Sequence, residues 1–319
     1  MTRFWWLLPQ RRRTHIAVLL FFPFASFLNY FVWQRNNLTT ATSKEIIETY
    51  RFPQNFRGGE ELPHLTPVEA SSLIPRGSYP IDVAHRNAYL HTGHCVFIMD
   101  ASGLLLFLKR SPDVVTCPNT WSILGEHTKA NENPFDTVAR GIEEELGLKH
   151  IRSSFNDHGR GAVVGSTSFS ARPFTADFQT IDNSSTIHIT LQNITEHPLY
   201  YIRYYGTRLD NRIDSQVTSL WLARLPKRHE EIQIKLDDEV SDHKWISVED
   251  FSDWIEADAT EYDDEEEEER EEVAAAVRQR QHHDDDDEPR DDGPPKGDFC
   301  HHTIRSLYAR GLDNLKKLL

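Results

Sequence analysis

GEHTKANENPFDTVARGIEEELGL, residues Gly125–Leu148, reads as a polar loop that runs into one short amphipathic helix. Pro134 suits the first helical turn, where its missing N–H has no partner to lose, and Gly147 suits the position just past the end. Between them Phe135, Val138, Ile142 and Leu146 recur at spacings of three and four, which predicts a helix over residues 134–146 with an apolar face. Glu144 and Glu145 are adjacent, so their side chains splay by about 100° and both can reach a cation over one flank of that helix.

The flanks supply strands. HCVFIM (94–99), a turn at Asp100–Gly103 and LLLFLKR (104–110) predict a hairpin apolar enough to lie inside a covered sheet. Further strand-like runs lie at Thr186–Gln192, Leu199–Tyr205, Val217–Leu225 and Glu239–Ile246. The run Tyr200, Tyr201, Tyr204 and Tyr205 reads as sheet packing. A short helix is expected from Val248 and a terminal amphipathic one over Phe299–Leu318. Strands on both sides of a central helix, then a terminal helix, predict an α/β or α+β sandwich.

The central stretch resembles the Nudix box, G-x5-E-x7-R-E-U-x-E-E-x-G-U with U apolar. Glu132, Arg140, Ile142, Glu144, Glu145, Gly147 and Leu148 match at the required spacing. The resemblance covers about Ala88 to Trp254, with the terminal helix added, and implies a Nudix-type α/β/α sandwich around a mixed sheet. It further implies a pyrophosphohydrolase that cleaves a diphosphate linkage in a nucleoside-diphosphate-type or other organic diphosphate. Glu144, Glu145 and the backbone carbonyl of Gly125 are then the expected ligands of Mg²⁺ or Mn²⁺, hard cations that favour oxygen donors. Arg140 is expected to orient acidic neighbours, with Glu132 as its partner.

Two positions depart from the pattern. Glu126 stands where the box has Gly, and Gly141 stands where it has the Glu that follows the Arg. The missing carboxylate belongs on the same helix face as Glu144 and Glu145. Glu126, Asp237, Asp238 and Glu239 are the candidate substitutes. A catalytically weak or inactive binding module of the same fold is therefore one alternative. Another is an enzyme similar to the isopentenyl-diphosphate isomerases, in whose early metal-binding strand His91 falls at a ligand position. Those enzymes need a Cys shortly after the Trp that is Trp121 here, and Ser122–His127 contains none.

Charge and hydropathy complete the organisation. The net charge of −15 is carried by residues 256–292, where 19 acidic side chains face four basic ones, and the rest of the chain balances. That excludes a broad nucleic-acid-binding face, which needs clustered Lys and Arg. Such a density of like charge predicts a disordered acidic insert at 256–295, and deletion of Asp258 to Asp292 is expected to spare activity. His282, His283, His301 and His302, in or beside it, read as solvated.

His15–Trp33 is a run of 19 residues without a charge. A helix of that length nearly spans a ~30 Å hydrocarbon core. Arg3, Arg11, Arg12 and Arg13 precede it, so the expected topology is a cytosolic 1–14, a transmembrane signal anchor at 15–33, a polar stem at 34–80 with a short helical pattern at Ser43–Tyr50, and a lumenal or extracellular domain at 81–319. A cleaved signal or transit peptide is the alternative. Asn37, Asn183 and Asn193 head glycosylation sequons. Cys95, Cys117 and Cys300 imply neither a disulfide framework nor a zinc site. Small diphosphates and the membrane are the expected partners; substrate identity and oligomeric state are not legible.

Overall fold

The computed structural model describes residues 45–53, 65–114, 116–153, 173–205, 212–259, 298–300 and 302–319. The expected anchor, the sequon at Asn37 and most of the acidic insert lie outside these residues. Among the described residues no helix is long and apolar enough to cross a membrane.

The chain runs β1 (Ile46–Arg51), β2 (Thr66–Pro67), β3 (Ile74–Pro80), α1 (Ile81–Arg86), β4 (Leu90–Met99), β5 (Leu105–Arg110), β6 (Trp121–Ser122) and β7 (Leu124–His127). After these come α2 (Pro134–Leu146), β8 (Lys149–Ser153), β9 (Phe174–Gln179), β10 (Thr186–Asn193), β11 (Leu199–Tyr204) and β12 (Ile213–Arg224). The last elements are β13 (Val240–Ile246), α3 (Val248–Ala259) and α4 (His302–Lys316). One mixed sheet runs β13-β5-β4-β12-β10-β9-β8. Its centre is the parallel pair β4 and β12, in register from His91↔Gln216 to Met99↔Arg224, with β7 antiparallel on the other edge of β4 from Gly93↔His127 to Val96↔Leu124.

Alternation along β4 builds two layers, because successive strand residues point to opposite faces. Cys95, Phe97 and Met99 pack against Phe251 and Ile255 of α3 and Leu307, Tyr308 and Leu312 of α4. Val96 and Ile98 pack against Val138, Ile142 and Leu146 of α2, all three of which are fully buried. The result is an α/β/α sandwich. Each such side chain contributes about 1.5–3 kcal/mol relative to exposure.

Local chemistry sets the ends of α2. Asn133 caps its start, the side-chain Oδ1 accepting from the Phe135 and Asp136 N–H groups. Gly147 ends it at φ 67, in the left-handed region where glycine carries no Cβ penalty, and donates its N–H to the Glu143 carbonyl.

Four readings need correction. Residues expected in the stem supply β1, β2 and β3, with β1 paired to β4 and β2 to β11. The Ser43–Tyr50 stretch, expected to be helical, contains β1; Ile46, Ile47 and Tyr50 fit either period. The acidic insert starts later than expected, since residues 256–259 complete α3. Asp258 is buried there, accepting the Asp298 N–H at 2.9 Å, with Arg305 beside it. Cys117 and Cys300, 183 residues apart, form a disulfide that ties the β5–β6 loop to the start of α4, leaving Cys95 free and buried. Of the described sequons, Asn183 is exposed in the β9–β10 turn, whereas Asn193 is buried with its Oδ1 held by Thr195.

Candidate functional site

Arg140, on the face of α2 opposite the apolar stripe, gathers the site. Its Nε and Nη2 donate to the two carboxylate oxygens of Glu132 at 2.9 and 3.1 Å. Nη1 donates to Glu126 at 2.7 Å and to Glu144 at 2.8 Å, and Nη2 also reaches the His127 carbonyl at 2.8 Å. A planar guanidinium with five N–H groups suits this many acceptors, which a lysine could not serve together. Glu132 also accepts from the Lys129 N–H and the Thr137 hydroxyl, so it anchors the loop before α2 to the helix. Burial works against the Glu132 charge, but the Arg140 bonds outweigh it and hold the carboxyl below its ordinary value.

Glu144 and Glu145 diverge as neighbours on a helix must. Glu144 is half exposed and taken up by Arg140 and by Lys129 at 3.3 Å. Glu145 is turned inward, and its Oε2 is buried with no hydrogen-bond partner. Burial, then the charges of Asp237, Glu126 and Glu239, push its carboxyl up to about 8, with Arg110 acting weakly the other way. Asp237 and Glu239 thus lie close enough to act on Glu145. An orphaned carboxylate oxygen among other acids is the environment a hard divalent cation fits. Gly125 lies on β7 opposite Cys95, with open space where a Cβ would sit.

The two departures from the box meet each other. Gly141 lies in ordinary helix, where it costs about 1 kcal/mol relative to Ala. A Cβ there would lie 2.5 Å from Glu126 Cγ and 2.9 Å from Leu124 Cδ2. The Glu126 side chain, reaching over from β7, occupies the space. Burial pushes its carboxyl up to about 7 against the attraction of Arg140.

A second group lies on the other face of β7. His85 at the end of α1, His91 on β4, His127 on β7 and Asp214 on β12 bring one donor atom each to within 4.8 Å of one another. The registers His91↔Gln216 and Gly93↔His127 bring three of them together. His91 Nδ1 lies 3.0 Å from the Tyr89 carbonyl, which only accepts, so Nδ1 carries the proton. His91 Nε2 faces Asp214 Oδ1 at 3.2 Å with no hydrogen bond formed by either atom, an approach that a proton or a cation between them would satisfy. Burial pushes His85 down to about 4 and His127 well below its ordinary value. Burial opposes the Asp214 charge, but His91 and Arg203 outweigh it and hold that carboxyl far below its ordinary value. Three imidazoles and a carboxylate suit a borderline cation such as Zn²⁺.

His94, on the opposite face from His91, is structural. Its Nδ1 accepts from the Trp221 indole N–H at 3.2 Å, so Nε2 donates to Thr128 at 3.1 Å, and burial pushes it down to about 3. Of the tyrosine run, Tyr200 and Tyr201 are buried; Tyr201 donates to Gln216 and Asp214. Sequence reasoning singled out His91 but missed His85, His127 and Asp214, which share no local spacing.

No protein-family profile matches the chain, and no curated protein matches it. Several solved structures are similar over part of it. DR0079 from Deinococcus radiodurans is 15% identical, with 61% of this chain and 90% of that one covered at a TM-score of 0.33. The E. coli dihydroneopterin triphosphate pyrophosphohydrolase is 14% identical, with 50% and 82% covered at 0.29. A NUDIX-family hydrolase from Clostridium perfringens is 18% identical, with 51% and 85% covered at 0.27.

Proposed function

We propose that this chain is a metal-dependent hydrolase of a diphosphate linkage, acting on a nucleoside-diphosphate-type or related organic diphosphate. The observation that carries the reading is Glu145, whose buried oxygen lacks a partner on a helix bearing the spacing of the Nudix box. Glu145 and Glu144, with the Gly125 carbonyl, are the residues that would hold Mg²⁺ or Mn²⁺. When bound, such an ion supplies charge neutralisation on the diphosphate and a more acidic water. Arg140 fixes the rotamers of Glu126, Glu132 and Glu144, and Glu132 pins the Lys129 backbone to the helix, so the acidic face is set before any ligand arrives. Preorganisation of this kind lowers the cost of assembling the site.

The test incubates the full-length protein with Mg²⁺ or Mn²⁺ and a panel of nucleoside diphosphate derivatives, dinucleoside polyphosphates and prenyl diphosphates. Hydrolysis of at least one is expected. Thermal stabilisation by a diphosphate with no product from any would favour the binding module instead.

The histidine cluster favours a second reading, an enzyme similar to the isopentenyl-diphosphate isomerases, since His91 is joined there by three further donors. Against it, Cys95 is the free thiol of the described residues, buried on the sheet and pushed up to about 11 by that burial. Double-bond migration in a prenyl diphosphate, followed by NMR, separates the two readings. The proposal also places the domain on the lumenal or extracellular side of a membrane, anchored by residues 15–33. The Cys117–Cys300 disulfide and the exposed Asn183 sequon support that placement.

A further inference from the structure

Glu126 and Gly141 are two departures from one motif, and they exclude each other in space. A side chain at 141 would begin 2.5 Å from Glu126 Cγ and 3.2 Å from Glu126 Oε1, so residue 141 has no room for a carboxylate while residue 126 carries one. Nothing in the backbone asks for glycine at 141, since the helix is regular there. The Glu126 side chain, with Leu124 Cδ2 beside it at 2.9 Å, fills the space a Cβ there would need.

The Glu126 carboxylate therefore stands where a residue-141 side chain would begin, one helical turn from Glu144 and Glu145, although it is delivered from β7. Its orientation is fixed: Oε2 is tied to Arg140 at 2.7 Å, which leaves Oε1 over the helix. Glu126 is also among the acidic groups that act on Glu145. We propose that the third carboxylate of the cation site has moved from the helix to the strand, Glu126 serving beside Glu145 as a ligand of the divalent ion. This inference rests on the diphosphate-hydrolase reading and assigns a ligand role to a motif position that ordinarily holds glycine.

The two positions can be exchanged, which makes the test direct. Mn²⁺ alone is titrated into the full-length protein, with binding followed by calorimetry and by loss of the free-ion EPR signal. Glu126→Gly and Glu126→Gln are each expected to weaken Mn²⁺ binding by at least about tenfold. Glu126→Gln keeps the volume over Gly141, so its result stands even where Glu126→Gly fails to fold. The exchanged variant, Glu126→Gly with Gly141→Glu, is expected to recover binding to within about threefold of the parent, whereas Gly141→Glu alone is expected to unfold at lower temperature. Parent-like Mn²⁺ affinity in Glu126→Gln, with loss in Glu145→Gln, would overturn the relocation and leave the cation site standing. Absence of Mn²⁺ binding by the parent protein would overturn both.

Discussion

Replacing Arg140 with Met keeps the aliphatic stem and removes the guanidinium, and the consequence can be worked from the contacts. Glu132 and Glu126, whose side chains are 14% and 11% exposed, would lose their cation and stay largely shielded from water. Removing one partner of a buried pair costs about 3–5 kcal/mol, because the remaining charge has no counter-ion and little solvent. Glu144, with 46% of its side chain exposed, is rehydrated and adds at most about 0.5 kcal/mol. The expected loss is therefore about 4 kcal/mol, or roughly 8–16 °C in Tm for a domain of this size. Urea unfolding followed by tryptophan fluorescence measures it as a fall in midpoint at constant slope. Adding Glu132→Gln to Arg140→Met should cost less than the sum of the single changes, with a coupling of about 1–3 kcal/mol. A loss under about 1 kcal/mol for Arg140→Met, or simple additivity, would refute the idea that this guanidinium holds the acidic face together.

Three other outcomes are expected. Thiol titration of the unfolded, unreduced protein should find one reactive cysteine, and Cys300→Ser should destabilise by about 2–5 kcal/mol; three thiols would contradict the Cys117–Cys300 link. In cells that glycosylate secreted proteins, Asn183→Gln should remove a glycan-sized mass while Asn193→Gln should not, and an unglycosylated parent would argue against lumenal exposure of this turn. Deleting residues 260–292 should leave melting temperature and turnover within experimental scatter, whereas a deletion that begins at Asp258 should lower Tm, since that side chain accepts the Asp298 N–H.

The helix carrying the box was legible because a 3.6-residue period, a proline start and a glycine end agreed within 14 residues, and the structure returns it as Pro134–Leu146 with Gly147 at its end. The central strands were legible for the same reason, being long apolar runs. What failed was polar strand. In β1, Ile46, Ile47 and Tyr50 fit a helical spacing, and only pairing with β3 and β4 settles the period. The strand β12 was read from Val217, yet it begins at Ile213, because Asp214, Ser215 and Gln216 look like loop until neighbouring strands bury them. The same blindness hid the histidine cluster, whose members are joined by strand register and not by spacing. Glu126 and Gly141 were each visible as departures. That they compete for one space is a fact of three dimensions, since it depends on β7 lying against α2.

The cation role proposed for Glu145 implies a cost to the metal-free fold. Its carboxyl is raised to about 8 in the folded chain, above its ordinary range, so its contribution favours the fold at low pH and is lost as pH rises through that value. The most direct measurement compares the parent with Glu145→Gln at pH 9, metal-free for melting temperature and with Mg²⁺ for diphosphate hydrolysis. With a cation ligand at this position, the variant melts higher without metal and has lost at least about a hundredfold in kcat. A variant that melts lower and still turns over at the parental rate would contradict it.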